Sequence, residues 1–161
     1  MPFYFSIPFL AMMLLGGFFC WLMVGPAPLC LSCTAWLSGV DALHDYLGWA
    51  FFRQTPWTFP IGLNPNYGLD IASSIVYSDS IPIFAFIFKL LSPWLPEPFQ
   101  YLGIWTLLCF ILQAYFAWLL VGLITQETVL RLLATTFFIV SPIMLWRVGI
   151  HAALVGHFIV L

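Results

Sequence analysis

Long apolar runs, separated by polar and proline-containing stretches, are the strongest pattern along the chain. They cover residues 3–24, 101–124 and 129–146, and the first two carry no charge. A helix rises about 1.5 Å per residue, so runs of this length cover the roughly 30 Å hydrocarbon core of a bilayer. The pattern therefore predicts three transmembrane helices. A cleaved signal peptide, the alternative for residues 3–24, would need a positive first segment and a shorter apolar stretch.

A fourth apolar run begins near residue 152 and continues to residue 161, the last of the sequence. As a helix it would be about 15 Å long, roughly half of the hydrocarbon core. A helix that stopped there would leave backbone carbonyls unpaired in lipid. We therefore expect the start of a fourth transmembrane helix at 152–161, and we expect the chain to be the N-terminal part of a longer membrane protein.

The segment between the first two spans, residues 25–100, has a different character. It holds five of the six acidic residues and most of the prolines. Its apolar stretches are too short to span, so we expect helices in the membrane interface, where tryptophan and tyrosine also concentrate. The predicted fold class is an all-α integral membrane protein. It has about three full transmembrane helices, the start of a fourth, and a long loop of interfacial helices between the first two.

Composition narrows the class of protein further. Hydrophobic residues make up 63% of the chain and charged residues 6%, against about 25% charged residues in ordinary soluble domains. So few charges exclude a soluble globular domain as the default. The net charge of −2 and the lack of a basic cluster exclude nucleic acid as a partner.

One predicted helix of the long loop, residues 38–54, carries candidate chemistry. Asp41, His44 and Asp45 fall at positions i, i+3 and i+4 and therefore share one helix face. Two carboxylates and an imidazole on one face are a candidate reactive site. Ser38 and Asp41 also match a capping box, in which Asp41 would only stabilise the helix start.

Other polar residues of the loop have two interpretations each. Asp79 lies just before a second predicted helix, 83–95, and is either a supporting acid of the site or the helix's N-cap or first-turn acid. Asn64, Asn66 and Tyr67 lie in a series of turns. They could bind a sugar or phosphate, or they could satisfy the backbone of their own loop.

Four side chains are candidates for binding an anionic group: Arg53, Lys89, Arg147 and His151. An even number of membrane crossings places the corner near residues 147–151 on the same side as the long loop. Ionisable groups at membrane depth are costly, which makes them functional candidates. The alternative is that the long stems of Lys89 and Arg147 carry their charges to lipid headgroups. His157 is a weaker candidate in the same corner.

Cys30 and Cys33 form a CxxC pair. One such pair supplies only two of the four ligands of a structural zinc site, and the sequence has no second pair. We therefore predict no zinc site and no cofactor. A divalent metal is left open, but no motif in the sequence supports one. The pair is either a disulfide on an oxidising face or two buried thiols, and Cys20 and Cys109 are expected in the core.

Four stretches of the sequence carry a resemblance to a known family. They are GVDALHDYLGWAFFRQTPWTFPIGL, SIVYSDSIPIFAFIFKLLSPWLP, FQYLGIWTLLCFILQAYFAWLL and SPIMLWRVGIHAALVGH. Over nearly the whole chain they resemble a bacterial multi-pass membrane family of unassigned function. That family in turn resembles the GT-C glycosyltransferases, because an acid follows the first span in a long outer loop with interfacial helices.

This resemblance implies an activity and roles for the candidate residues. GT-C enzymes take sugars from polyprenyl-phosphate donors on the extracytoplasmic side, and the acid after the first span is commonly the catalytic base. Asp41 stands at that place, with His44, Asp45 and Asp79 as possible supporting residues. In the family pattern a histidine often stands where this chain has Asp45. The four cationic candidates would then bind the donor phosphate.

The resemblance therefore implies part of an inverting glycosyltransferase in the bacterial inner membrane, with the long loop on the extracytoplasmic side. Its partners would be the bilayer, a polyprenyl-phosphate sugar, and a glycan, lipid or protein acceptor that the sequence does not specify. We expect the 161-residue chain alone to be inactive. The alternatives are part of a transporter or channel, with ionisable groups lining a water path, and a non-catalytic subunit of a membrane assembly.

Overall fold

The computed structural model describes residues 7–37 and 39–161. It is 65% helical. Within the described residues the α-helices are α1 (Ile7–Val24), α2 (Val40–Gln54), α3 (Pro82–Leu90), α4 (Leu102–Val121), α5 (Thr128–Ile139) and α6 (Pro142–Arg147). Short 3-10 helices occupy Ala27–Leu29, Leu69–Ile71, Ile75–Ser78, Ser92–Trp94, Ala153–Val155 and His157–Val160. The described structure departs from the predicted all-α class at one antiparallel pair of two-residue strands, β1 (Leu63–Asn64) and β2 (Ser73–Ser74).

Among the described residues, two helical segments are long and apolar enough to cross a membrane. They are Leu102–Val121 and Thr128–Arg147, and they lie where the second and third spans were predicted. The predicted first span, 3–24, begins outside the described residues. Its described apolar helix, Pro8–Val24, is shorter than the other two. The structure therefore supports a mainly helical chain with two helices of membrane-spanning length.

The second of these segments is interrupted close to its end. Helix α5 ends at Ile139 and α6 begins at Pro142, where the sequence pattern predicted one helix. Proline has no backbone N–H to donate, and it disfavours helical geometry in the residue before it. Ser141 accordingly has a non-helical ψ of 121°, which produces the break.

Residues 152–161 also differ from the prediction. We expected the start of a fourth transmembrane helix there, but the structure has two short 3-10 helices, Ala153–Val155 and His157–Val160, instead of an α-helix. They are separated by Gly156, whose ψ of 44° breaks the helical path.

The chain forms two compact units. The first consists of Met1–Ala27, Ile104–Val148 and Leu154–Leu161. Its buried core includes Met12, Cys20, Cys109, Phe110, Ala114, Ile139, Met144 and Val155. Both predicted core cysteines therefore lie in this core. Gly16 of α1 lies directly against the α4 backbone, since a Cβ there would be 2.6 Å from the carbonyl oxygen of Phe110.

The second unit consists of Pro28–Gly103 and Gly149–Ala153 and carries most of the candidate site residues. Helix α2 packs against α3 and against the 3-10 helix Ile75–Ser78. Its inner face buries Trp49, whose indole N–H donates to the carbonyl of Phe99 at 2.9 Å. The lack of a side chain at Gly48 lets the turn at Ser78 pack directly against α2, because a Cβ at Gly48 would lie 2.2 Å from Ser78 Oγ. This packing fixes the α2 face that holds the carboxylates.

The CxxC pair is a disulfide, with 5.2 Å between the Cα atoms of Cys30 and Cys33. Gln100 ties this loop to the residues before α4. Its side-chain amide donates to the carbonyls of Pro28 (2.8 Å) and Cys30 (2.9 Å), and its Oε1 accepts from the N–H of Gly103 (2.9 Å). The disulfide loop is therefore a fixed part of the second unit.

Candidate functional site

The start of α2 supplies two carboxylates with different surroundings. Asp41 is in the first turn and Asp45 is one turn later on the same face, as the spacing predicted. Asp41 is exposed, whereas 3% of the surface of Asp45 is exposed. Ser38, the partner in the alternative capping box, lies outside the described residues. The N-cap position is Gly39, which makes no side-chain capping bond. Asp41 is therefore the accessible acid and Asp45 the enclosed one.

Asp45 is held by a segment distant in sequence. Its Oδ2 accepts a hydrogen bond from the backbone N–H of Ala152 at 3.3 Å. Burial raises the pKa of the Asp45 carboxyl to about 7. The Ala152 N–H acts in the opposite direction, and the charges of Asp79 and Asp41 raise the pKa further. At neutral pH this carboxyl is therefore a mixture of its protonated and ionised forms.

Asp79 joins the same group of side chains. Its backbone is left-handed, with φ of 50°, and it does not cap the following helix, whose N-cap is Ile81. Burial raises the pKa of the Asp79 carboxyl, while a hydrogen bond from the Ala153 N–H and the imidazoles of His151 and His44 lower it. Asp79 therefore lies close enough to Asp45 for their charges to interact. We call Asp41, Asp45 and Asp79 the carboxylate cluster.

Two serines hold the Asp79 turn in place. Ser80 Oγ donates to the backbone carbonyl of Asp45 at 2.5 Å and lies 2.8 Å from Ser78 Oγ. The hydroxyl of Tyr101 donates to the carbonyl of Ser80. All three side chains are buried. The position of Asp79 next to α2 is consequently set by internal hydrogen bonds and not by solvent.

A histidine and a tyrosine lie beside the cluster. The hydroxyl of Tyr67 and Nδ1 of His44 are hydrogen-bonded at 2.5 Å. The pKa of Tyr67 is raised by burial and by the negative charge of Asp45. The sequence did not decide whether Tyr67 binds a sugar or phosphate or satisfies the backbone of its own loop. Nothing in the local sequence links Tyr67 to His44. The other two polar turn residues differ: Asn64 is buried and donates to the carbonyl of Gly48 at 2.9 Å, and Asn66 is exposed.

Arg53 does not join the carboxylate cluster. It is near the end of α2, roughly 18 Å along the helix from Asp41. Its guanidinium donates to Ser92 Oγ (2.7 Å) and to the carbonyls of Ser92 (3.2 Å), Leu95 (2.9 Å) and Pro96 (2.8 Å). The structure therefore gives Arg53 a structural position at the turn that follows α3, and its role at a donor phosphate stays a prediction.

Replacing Arg53 by methionine tests that structural position. Arg53→Met keeps the apolar stem but removes every donor from these carbonyls, and we expect the free energy of unfolding to fall by about 1–3 kcal/mol. Chemical denaturation in detergent measures the change. Gln54→Ala loses one exposed bond to Glu97 at 3.2 Å and should change stability by less than about 0.5 kcal/mol. An Arg53→Met protein as stable as the parent would contradict this assignment.

Lys89 is enclosed by protein and is not presented to lipid phosphates. Its Nζ lies 3.8 Å from the ring centroid of Phe52 and 4.7 Å from that of Trp57, and it donates to Thr55 Oγ1 at 3.1 Å. Burial lowers its pKa. The aromatic faces compensate part of the cost of burying the cation. The structure thus pairs the Lys89 ammonium with protein groups, and its role at a donor phosphate stays a prediction.

The remaining cationic candidates fall in different units. His151 belongs to the second unit and faces Asp79. Arg147 ends α6 in the first unit, where it is partly exposed, and His157 begins the last 3-10 helix of that unit. Of the four predicted cations, His151 is thus the one that the structure places with the carboxylates.

The part of the chain that the structure describes contains no grouping of three or more His, Cys, Asp or Glu side chains arranged to hold a metal ion. The three carboxylates and two histidines of the site instead interact with backbone N–H groups, with Tyr67 and with one another. Among these groups, the Asp45 carboxyl, with its pKa raised to about 7, can take up or release a proton near neutral pH.

Comparison with known proteins gave one family match. The family whose model matches residues 13–161 is described as a domain of unknown function (DUF6311). No curated protein and no solved structure matches the chain.

Proposed function

Since the chain belongs to the DUF6311 family, whose description names no activity, we propose a function from the site itself. The chain is part of a membrane glycosyltransferase of the GT-C type. It moves a sugar from a polyprenyl-phosphate donor to an extracytoplasmic acceptor, with Asp41 as the catalytic base. The observation that carries this proposal is the exposed carboxylate of Asp41, which lies one helical turn from the buried Asp45, with the half-buried Asp79 beside Asp45.

The proposed reaction needs one proton acceptor. The Asp41 carboxylate takes the proton of an acceptor hydroxyl while the hydroxyl oxygen attacks C1 of the sugar. The bond between C1 and the phosphate oxygen breaks, and the electron pair leaves with the polyprenyl phosphate. Phosphate leaves readily, so no paired acid is needed, unlike the hydrolysis of a glycosidic bond. A base opposite the leaving group predicts inversion at C1.

The supporting roles follow from the contacts of each group. Asp45 and Asp79 lie near the base and are themselves held by the N–H groups of Ala152 and Ala153. The departing phosphate needs a cation. Arg53 and Lys89 are engaged elsewhere, so we assign this role to His151 and, from the sequence alone, to Arg147.

We place the protein in the bacterial inner membrane with three transmembrane helices and the second unit outside the cytoplasm. The two helices of membrane-spanning length support the membrane location. The Cys30–Cys33 disulfide supports the side, because disulfides persist in oxidising compartments and are rare in the cytosol.

Asp41→Asn tests the catalytic role. In the full-length protein, reconstituted with polyprenyl-phosphate hexose or pentose carrying a radiolabelled sugar, we expect transfer to fall by about 10²–10⁴-fold, the range for loss of a general base. Expression and thermal stability should stay at the parent level, because the side chain is exposed.

Asp70→Asn is the matched control, since it removes an exposed acid of the same unit outside the cluster. It should retain parental transfer. Near-normal transfer by Asp41→Asn would reject the assignment. Transport of a solute by the reconstituted protein, unaffected by Asp41→Asn, would favour the transporter alternative.

A further inference from the structure

Helix α3 presents a stripe of large apolar side chains to the outside of the second unit. Ile83, Ile87, Leu90 and Trp94 are spaced at i, i+4, i+7 and i+11, which places them on one helix face that continues into the 3-10 turn. Each is exposed by between 48% and 79%. We call these four residues the α3 stripe.

The opposite face of α3 points into the unit and carries the helix's one charge. Ala85 and Lys89 are buried there, and the ammonium of Lys89 lies against Phe52 and Trp57. A helix on a water-exposed surface has the reverse arrangement, with apolar residues inward and charges outward. The orientation of α3 therefore indicates that its outer face meets an apolar medium.

The position of α3 in the chain identifies that medium. A short segment joins Trp94 to Leu102, where a helix of membrane-spanning length begins. Fully extended, the segment reaches about 29 Å at most. A tryptophan at the end of an apolar stripe is also typical of the level between headgroups and acyl chains.

The charges of the second unit indicate how this surface binds. Its lysine and arginine residues in 28–103 are Arg53 and Lys89, and hydrogen bonds or aromatic rings engage both. Attraction to anionic headgroups normally relies on exposed lysine and arginine. The α3 stripe itself has no charged residue.

We propose that the α3 stripe is a lipid-contacting surface that lies in the acyl–headgroup boundary of the bilayer and binds by apolar insertion without electrostatic attraction. The occupant is the bilayer itself, because a short segment of chain joins the stripe to a helix of membrane-spanning length. This inference does not depend on the proposed sugar transfer.

A fluorophore on the stripe tests its surroundings. Ile87→Cys, labelled with a maleimide of nitrobenzoxadiazole, is reconstituted as the full-length protein in pure phosphatidylcholine vesicles. Cys20 and Cys109 are buried and Cys30 and Cys33 are bonded to each other, so the new thiol is the accessible one among the described cysteines. We expect a blue-shifted emission that brominated phosphatidylcholine quenches and that aqueous iodide leaves almost unchanged.

Gln54→Cys is the matched control, because this exposed polar residue of α2 pairs with the carboxylate of Glu97. Its label should be quenched by iodide and not by brominated lipid. Ile83→Cys gives a second position on the stripe if the first variant folds poorly. High salt should not change quenching by the brominated lipid.

Three results would overturn the proposal. Iodide quenching of the stripe labels would show that the stripe faces water. Labels protected from both quenchers would show a protein cover, either a second copy or a partner. Lipid quenching that needs anionic lipid would show electrostatic attachment.

Discussion

Replacing Gly16 by alanine should disrupt the packing of α1 against α4 in the first unit. The new methyl group would lie 2.6 Å from the carbonyl oxygen of Phe110 and 2.7 Å from Cα of Ile111. Both are backbone atoms, so no side-chain rotation can make room. Forcing extra atoms into a packed contact costs typically 1–3 kcal/mol, and we expect about 3 kcal/mol or more here because a helix must move.

Gly17 is the adjacent control for this experiment. A Cβ at Gly17 meets no atom within 4 Å. Alanine is preferred over glycine inside a helix by about 0.5–1 kcal/mol, so Gly17→Ala should leave stability unchanged or raise it slightly. The two variants have the same composition and nearly the same position, so helix propensity and hydrophobicity are matched.

Thermal unfolding in a mild detergent measures both effects. The Gly16→Ala protein should unfold at a clearly lower temperature than the parent, and Gly17→Ala at the same temperature or higher. Close approach of small residues is how apolar helices pack without a hydrophobic driving force between them. Equal destabilisation by the two substitutions would show that the close contact between α1 and α4 does not form.

Apolar runs and charge spacing were enough to predict the main helices. The predicted second span, 101–124, contains α4 at Leu102–Val121, and the predicted loop helix, 38–54, contains α2 at Val40–Gln54. The shared face of Asp41 and Asp45 also follows from spacing alone. These features are local, because helix length and periodicity depend on neighbouring residues.

The contacts of the site could not be predicted because they join distant segments. Asp45 is bound by the N–H of Ala152, and His44 by Tyr67. Nothing in the local sequence distinguishes the burial of Asp45 from the exposure of Asp41. Tertiary packing decides which of two equivalent helix positions is enclosed.

The partners of two predicted cations could not be foreseen for a related reason. The sequence offers Arg53 and Lys89 as free charges near a membrane surface. In the structure, carbonyls of the Ser92–Pro96 turn receive the donors of Arg53, and aromatic rings enclose Lys89. A long basic side chain can reach many partners, and only the folded arrangement of those partners selects one.

The stability of the second unit should fall as the pH rises from about 4 through about 7, and Asp45→Asn should remove much of this dependence. The pKa of Asp45 is raised from 3.8 to about 7, chiefly by burial. The protonated carboxyl is therefore the form that the fold favours. The contribution of Asp45 to the free energy of unfolding is complete below about pH 4 and is lost as the pH rises through about 7. The difference between the two pKa values corresponds to roughly 4 kcal/mol.

Denaturation of the parent and of Asp45→Asn across pH 4–8 measures this dependence. We expect the two proteins to have similar stability near pH 4 and the variant to be more stable by a few kcal/mol near pH 8, since the amide carries no charge to desolvate. Some dependence should remain, because the pKa of Asp79 is also raised. The exposed acid variant Asp70→Asn should follow the parent at every pH. If stability changed with pH in the same way in the parent and in Asp45→Asn, the Asp45 carboxyl would be solvated. That result would contradict its buried position in the carboxylate cluster.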